Sequence, residues 1–153
     1  MSRVEHIHIA HEAAKPMLPL REAQIIARQG ISGDRYALKL GYYSHDPKPG
    51  RHITLIEAEV LEDISQRLGI HFAPSDSRRN ITTRGVRLNP LVGKRLRIGA
   101  VLLEVIRLCD PCAYLQELVG QPVLKPLVDR GGIRCDVITG GIIRVGDTIS
   151  VVE

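Results

Sequence analysis

Short apolar runs separated by glycine turns are the feature that most limits the folds open to this chain. Residues 96–99 end in glycine and are followed by an apolar run over 101–106. A similar arrangement occurs at 143–146 and 148–152. Closely spaced strands with glycine turns are typical of barrels and sandwiches. The sequence therefore predicts a mainly β fold, a β-barrel, with a few short peripheral helices.

The start of the chain has the pattern of a half-buried strand. Apolar and polar side chains alternate there, with the period of two that a strand requires. We expect Ile7 and Ile9 to face the core, and His6 and His8 to lie on the outer face. A further strand is predicted at 22–28.

The clearest helical pattern covers residues 55–68. Thr54 and Glu57 have the spacing of a capping box, and Gly69 is a suitable C-terminal stop. The residues that form the apolar stripe are Val60, Leu61, Ile64 and Leu68. We therefore expect one amphipathic helix that covers part of the barrel.

Length and composition limit the class of protein. With 153 residues, residues 1–153 are expected to form a single domain with its own core. Apolar runs are too short to cross a membrane, no signal peptide is evident, and three cysteines do not suggest a disulfide scaffold, so we expect a cytoplasmic protein without membrane contact. A net charge of +4 and an aromatic content of 3% argue against nucleic acid as a partner.

Cys112 is the strongest candidate for chemistry. Asp110 and Pro111 directly before it resemble the N-cap and first position of a helix. A cysteine in the first turn has its thiolate stabilised by free backbone N–H groups and the helix dipole. A thiolate attacks electrophiles, carries sulfur or binds a soft metal. The alternative is an inert, buried cysteine that packs as a small hydrophobe.

Cys109 and Cys112 also form a C-x-x-C pair. A zinc site needs a second pair at usable spacing, and only Cys135 and scattered histidines are left to supply one. A thioredoxin-like pair needs a βαβ context, which the sequence does not reveal. Cys109 is expected at the end of a strand over 102–108, where it is part of the core, although a regulatory disulfide stays open.

A second constellation is rich in arginine. Arg78, Arg79 and Asn80 stand together, and such side chains can hold a phosphate or another oxyanion. The alternative is a solvated basic loop. The weaker candidates for the same role are Arg35, Arg51 and His52.

Taken together, these segments resemble the MOSC domain, named for the C-terminal domain of molybdenum-cofactor sulfurase. The matching segments, in chain order, are residues 16–17, 30–36, 51–57, 79–85, 90–93, 97–99, 111–112, 131–132 and 145–147. The resemblance implies a β-rich barrel with a cleft that holds one reactive cysteine, here Cys112. It also places the Arg-x-Asn segment, here residues 78–80, near the cofactor.

Two functions are implied by this resemblance. In reductases of the family, the cysteine ligates the molybdenum of the molybdopterin cofactor, and the enzyme removes oxygen from N-hydroxylated compounds. The corresponding cofactor-binding residues here are Arg78, Arg79 and Asn80, with Arg35, Arg51 and His52 as weaker candidates. The larger relatives carry additional domains, so a chain of this length is expected to receive electrons from a separate electron-donor protein.

In the second function, Cys112 is a sulfur carrier that holds a persulfide received from a pyridoxal-phosphate-dependent cysteine desulfurase. A low-pKa thiolate suits both functions, and we favour the molybdenum-dependent reductase. A third class, an interaction domain that keeps the fold without the chemistry, stays open. Substitution of Cys112 separates the three.

Overall fold

A computed structural model describes residues 2–39, 49–109 and 129–152. The strands are β1 (Arg3–Ile9), β2 (Leu18–Leu20), β3 (Glu22–Ile26), β4 (Gly30–Ile31), β5 (Ile53–Glu57), β6 (Ile81–Arg84), β7 (Arg95–Ile98), β8 (Val101–Leu108), β9 (Ile133–Thr139), β10 (Gly141–Arg144) and β11 (Ile149–Val152). The described part of the chain contains the helix α1 (Ala58–Leu68) and 3-10 helices at Pro74–Ser77 and Asn89–Leu91. The predicted mainly β class is confirmed.

An eight-stranded sheet in the order β11-β7-β8-β9-β5-β6-β1-β2 forms most of the structure. Its hydrogen-bond ladders do not close, but the sheet curls until its ends approach. Arg3 forms an isolated bridge with Thr148, and the N–H of Val4 donates to the carbonyl oxygen of Asp147 at 2.9 Å. The barrel is therefore loosely closed, between the start of β1 and the chain before β11.

The glycine-separated runs have two different outcomes. β7 and β8 pair as an antiparallel hairpin, with Ile98 opposite Val101. β10 and β11 separate, because β10 pairs with β3 in a three-stranded sheet while β11 pairs with β7 in the large sheet. Gly146, at φ 97°, turns the chain between them. Similar local patterns therefore serve a hairpin in one case and a crossing between sheets in the other.

β5 and β6 are parallel, with Leu55 opposite Ile81, and α1 connects them. This βαβ unit is not evident in the sequence. The predicted helix start is wrong, because residues 54–57 belong to β5, and Glu57 precedes the helix without a side-chain cap. Burial explains the difference: β5 has four consecutive buried residues, a pattern typical of a strand covered on both faces.

The helix packs on the outside of the barrel through a small apolar cluster. Leu61 and Ile64 of α1 contact Ile56 and Phe72, and Val60 packs at the edge. The barrel interior holds the larger apolar cluster, built from residues of both sheets. Leu68, predicted as part of the apolar stripe, is 43% exposed and lies outside this cluster. Gly69 ends the helix in the left-handed conformation, as predicted.

β1 differs from the predicted alternation at one residue. Ile7 and Ile9 are buried and His6 is exposed, as expected, but His8 is only 7% exposed. Three consecutive buried side chains mean that both faces of this end of β1 are covered.

In the described ranges, no helix is long and apolar enough to cross a membrane.

Candidate functional site

The candidate site is the edge of the large sheet at which the parallel strands β5 and β6 begin. Asn80 directly precedes β6, and its side-chain oxygen accepts hydrogen bonds from the N–H of Thr54 at 3.0 Å and from its hydroxyl at 3.2 Å. The Asn80 amide nitrogen donates to the carbonyl oxygen of His8 at 3.2 Å. Asn80 is fully buried. Its side chain therefore joins β1, β5 and β6 at this edge.

Arg35 reaches the same edge from the loop after β4. Its guanidinium donates to the carbonyl oxygen of Arg78 at 3.0 Å and to the hydroxyl of Tyr36 at 3.1 Å. The carboxylate of Asp34 lies 3.0 Å from Nη1, and it also accepts the backbone N–H of Ala10 at 3.0 Å. Both charged groups are buried, so each compensates the desolvation of the other. The ion pair fixes the backbone of residue 78.

Arg79 contacts the backbone on both sides of segment 110–128. Its Nε donates to the carbonyl oxygen of Gly131 at 2.8 Å, and Nη2 makes a longer contact of 3.5 Å with the carbonyl oxygen of Cys109. The two flanks also bond each other directly, because the N–H of Cys109 donates to the carbonyl oxygen of Gly132 at 2.8 Å. Arg79 is 6% exposed. It is therefore a buried cation shared between two distant stretches of backbone.

Arg51 and His52 lie just before β5, near the beginning of β6, because the two strands are parallel. Both side chains are half-buried, as is that of Arg78, whose backbone has φ 60°. Nδ1 of His52 accepts the N–H of Val137 at 3.0 Å and is therefore the unprotonated ring nitrogen. The carboxylate of Asp136 approaches the same nitrogen at 3.5 Å.

Cys112 and Asp110 lie outside the described residues. Cys109 directly follows β8 and is buried, in the core position expected for it. Cys135 is buried in β9, and its desolvation, with smaller contributions from the neighbouring Asp136 and Cys109, raises the pKa of its thiol. Cys135 is therefore held in the protonated, unreactive form. Within the described ranges, no group of three or more His, Cys, Asp or Glu side chains is arranged to hold a metal ion.

The C-terminal flank of segment 110–128 borders a groove of about 560 Å³ beside α1, lined in part by Glu57, Asn89, Asp129 and Arg130. The Asn89 side chain donates to the carbonyl oxygen of Asp129 at 2.7 Å. Arg130 pairs with Asp63 of α1 at 2.6 Å. Burial raises the pKa of the Glu57 carboxyl, against the opposing effect of its hydrogen bond from the backbone of Leu88. These contacts fix residue 129 against the 3-10 helix at Asn89–Leu91 and residue 130 against α1.

Of the predicted site residues, Arg35, Arg79 and Asn80 lie at this edge together with the backbone of Arg78, and Arg51 and His52 lie just before β5. Cys112 lies outside the described residues. Several of the contact partners are residues that the sequence did not identify. Asp34, Tyr36 and Thr54 complete the contacts of Arg35 and Asn80. Asp34 and Tyr36 flank Arg35 in the chain, and that adjacency is the signal that could have revealed them. The capping-box spacing of Thr54 predicts a different role for it, and no local signal connects Arg79 to Gly131.

Comparison with known protein families matches most of the chain. The sequence model of the MOSC domain matches residues 42–150. The chain belongs to the MOSC domain family. The match spans both flanks of segment 110–128, together with Cys112 and the Arg78–Asn80 stretch. The family predicted from the sequence motifs is confirmed.

Solved structures with this MOSC fold cover nearly the whole chain. The chain is similar to the YUAD protein from Bacillus subtilis, with a TM-score of 0.81 and 22% identity over 99% of this chain and 96% of that one. It is also similar to YiiM from Geobacillus stearothermophilus, with a TM-score of 0.76 and 16% identity over 100% and 76% of the two chains. YiiM from Escherichia coli gives a TM-score of 0.67 and 18% identity over 99% and 70%. No curated protein matches by sequence.

Proposed function

We propose that this MOSC protein binds the molybdenum cofactor, with the thiolate of Cys112 as the metal ligand, and reduces N-hydroxylated compounds. The observation that carries the proposal concerns Arg79, at the edge where β5 and β6 begin. It contacts the backbone on both sides of segment 110–128, at Cys109 and at Gly131. The MOSC domain family is associated with this cofactor. In this chain, the buried guanidinium of Arg79 lies against the carbonyl oxygen of Cys109, three residues before Cys112. The proposed enzyme is thus an oxidoreductase.

The side chains at this edge fit an anionic, hydrogen-bonding cofactor by their chemistry. Guanidinium groups and imidazole N–H groups bind phosphate and the polar edge of a ring. Arg78, Arg51 and His52 would contact the cofactor, since each is half-buried and lies before β5 or β6. In this proposal Arg35 and Asn80 support those residues through the hydrogen bonds that they form with backbone and neighbouring side chains.

The bound molybdenum would supply oxygen-atom transfer, while the chain supplies position, charge and exclusion of water. The Cys112 thiolate is a soft ligand suited to that metal. Arg35 holds the carbonyl of residue 78 at 3.0 Å and so orients the backbone that presents the Arg78 side chain. The reducing electrons would come from an electron-donor protein, and the substrate is a small N-hydroxylated molecule. Cytoplasmic localisation stays a prediction.

Molybdenum content tests the proposal. The protein is expressed in a host that makes the cofactor, beside Cys112→Ser and the matched control Cys109→Ala, which alters a buried cysteine. We expect near-stoichiometric molybdenum in the wild type and the control, and its loss in Cys112→Ser. Reduction of an N-hydroxylated amidine should follow the metal content.

Absence of molybdenum from the wild-type protein would contradict the proposed function. Mass spectrometry after incubation with a cysteine desulfurase and cysteine then tests the sulfur-carrier alternative, through the mass of one added sulfur atom on Cys112. An interaction domain without chemistry would show neither metal nor added sulfur, and Cys112→Ser would keep its partner.

A further inference from the structure

His52 has one ring nitrogen that the fold satisfies and one that it does not. Nδ1 accepts the backbone N–H of Val137 at 3.0 Å, so its lone pair is occupied and the ring proton lies on Nε2. The carboxylate of Asp136 competes poorly for Nδ1, because it lies 3.5 Å away and the same oxygen accepts the N–H of Gly50 at 2.8 Å. Within the described ranges, Nε2 has no hydrogen-bond partner. His52 therefore presents an N–H donor that no described residue accepts.

The backbone that carries His52 is fixed from several directions. Before it, the N–H of Gly50 is held by the carboxylate of Asp136, and directly after it β5 pairs with β9. The carbonyl oxygen of His52 lies so close to Gly30 that an added Cβ there would collide with it. Gly30 also has φ 124°, a conformation that favours glycine. The direction of the imidazole is thus determined by the surrounding strands.

His52 lies among the cationic side chains of the site edge. β5 and β6 are parallel, with Leu55 opposite Ile81, so residues 52 and 78, three positions earlier in each case, lie at the same end of the two strands. Arg51 and Arg78 are half-buried there, and the side chain of His52 is 26% exposed. An anionic ligand attracted by guanidinium groups brings acceptor oxygen atoms with it. The Nε2 donor is therefore accessible to a ligand at this edge.

We propose that His52 is a specificity-determining residue whose Nε2–H, fixed by the N–H of Val137 at the opposite nitrogen, donates one hydrogen bond to an acceptor oxygen of the ligand. The identity of the ligand rests on the proposed function, in which it is the molybdenum cofactor. A ligand with a donor at this point would place two donors face to face and leave both unpaired. The fixed tautomer thus selects for an acceptor.

Two substitutions separate the acceptor and donor halves of the ring. His52→Gln keeps an amide donor near the position of Nε2 but loses the acceptor at Nδ1. His52→Asn keeps an amide oxygen that can accept from Val137 but does not reach as far as Nε2. The matched control is His71→Asn, because His71 is exposed and follows α1, away from this edge. Each protein is first checked for a cooperative unfolding transition in urea.

The tautomer of His52 is measured without the cofactor. Protein with isotope-labelled histidine is prepared from cells that cannot make the cofactor, and nitrogen NMR spectra at mildly alkaline pH distinguish the protonated from the unprotonated ring nitrogen. We expect the proton of His52 on Nε2. A proton on Nδ1, facing Asp136, would overturn the proposal. Hydrogen exchange of the Val137 N–H should keep the wild-type rate in His52→Asn and accelerate in His52→Gln.

Retention of the cofactor tests the donor itself. The proteins are expressed in a host that makes the cofactor, and their molybdenum content is followed during dialysis. Loss of a hydrogen bond to a charged acceptor weakens binding by about tenfold or more. We therefore expect His52→Asn to lose molybdenum about tenfold faster than the wild type, whereas His52→Gln and His71→Asn stay within about twofold of it.

Wild-type retention by His52→Asn, or equal losses from His52→Asn and His52→Gln, would overturn the proposal, because the ligand would then not recognise the donor. If His52→Gln lacks a cooperative unfolding transition, the wild type decides. Solvent exchange of its Nε2 proton should slow when the cofactor is bound, and an unchanged rate contradicts the proposal. Failure of the proposed function is distinct: the wild type would contain no molybdenum, while the proton of His52 would still lie on Nε2.

Discussion

Asn80 offers the most direct test of how the site edge is built, through the substitution Asn80→Ala. The side chain is fully buried and serves Thr54 and His8 through three hydrogen bonds. Its loss leaves the N–H of Thr54 and the carbonyl oxygen of His8 without their side-chain partner. The Thr54 hydroxyl keeps the backbone N–H of residue 80 as a donor. The damage is therefore concentrated in two buried backbone groups.

The expected cost follows from these two groups. Each buried polar group left without a partner costs about 1–3 kcal/mol. Water that enters the small cavity recovers part of the loss, so we expect Asn80→Ala to lower the free energy of unfolding by about 2–4 kcal/mol. Domains of this size have a total of about 5–15 kcal/mol. The variant should thus fold, with a clearly lower midpoint in urea.

The assay is urea denaturation of protein from cells that cannot make the cofactor, so that only the contribution of Asn80 to the fold is measured. The control is Asn89→Ala, which removes one exposed hydrogen bond to Asp129 and should cost less than about 1 kcal/mol. The double variant with Thr54→Val should lose less than the sum of the single variants, because both belong to one network. An Asn80→Ala loss equal to that of the control would refute the reasoning.

Three further predictions follow from burial and backbone geometry. Gly132→Ala should lower the urea midpoint more than Gly146→Ala. Both positions have positive φ, but an added Cβ at residue 132 meets the carbonyl oxygen of Leu55, whereas nothing lies within 4 Å of one at residue 146. Equal losses of stability would contradict the steric argument. Burial lowers the pKa of His8 in the folded protein from 6.5, so the unfolded chain takes up the proton first, and the free energy of unfolding should fall as the pH decreases from about 6.5 through the folded pKa. His8→Gln should flatten this part of the curve of stability against pH. A wild-type slope in the variant would exclude His8 as the cause. Burial raises the pKa of Glu57 in the folded protein from 4.5, so the contribution of Glu57 to the free energy of unfolding declines as the pH rises above about 4.5. Glu57→Gln should therefore be more stable than the wild type at pH 7 but not at pH 4. A gain at pH 4 without one at pH 7 would contradict burial as the cause.

Sequence periodicity and turn residues predicted much of the fold. The β7–β8 hairpin, the burial of Ile7 and Ile9, and the end of α1 at Gly69 all agree with the structure. These features depend on local rules: alternation of side chains, glycine at a turn, and glycine in the left-handed conformation at a helix end. The order of short motifs along the chain also identified the MOSC domain family.

Local rules fail where the same sequence pattern is compatible with two different local structures. Residues 54–57 suit a capping box, yet they form β5 because strands pair with them on both sides. Residues 143–152 resemble a hairpin, yet β10 and β11 enter different sheets. In both cases the competing partner is distant in sequence, and the burial that it provides outweighs the local preference.

The sequence by itself determined that an arginine-rich stretch precedes a strand, and it predicts a reactive cysteine, Cys112, in a helix-start motif. Only the tertiary structure decided what those arginines contact. Arg79 and Gly131 are separated by 52 residues, and Arg35 and Arg78 by 43. A guanidinium satisfies any suitable carbonyl oxygen within its reach, so its partner is selected by how the barrel closes and not by its neighbours in the chain.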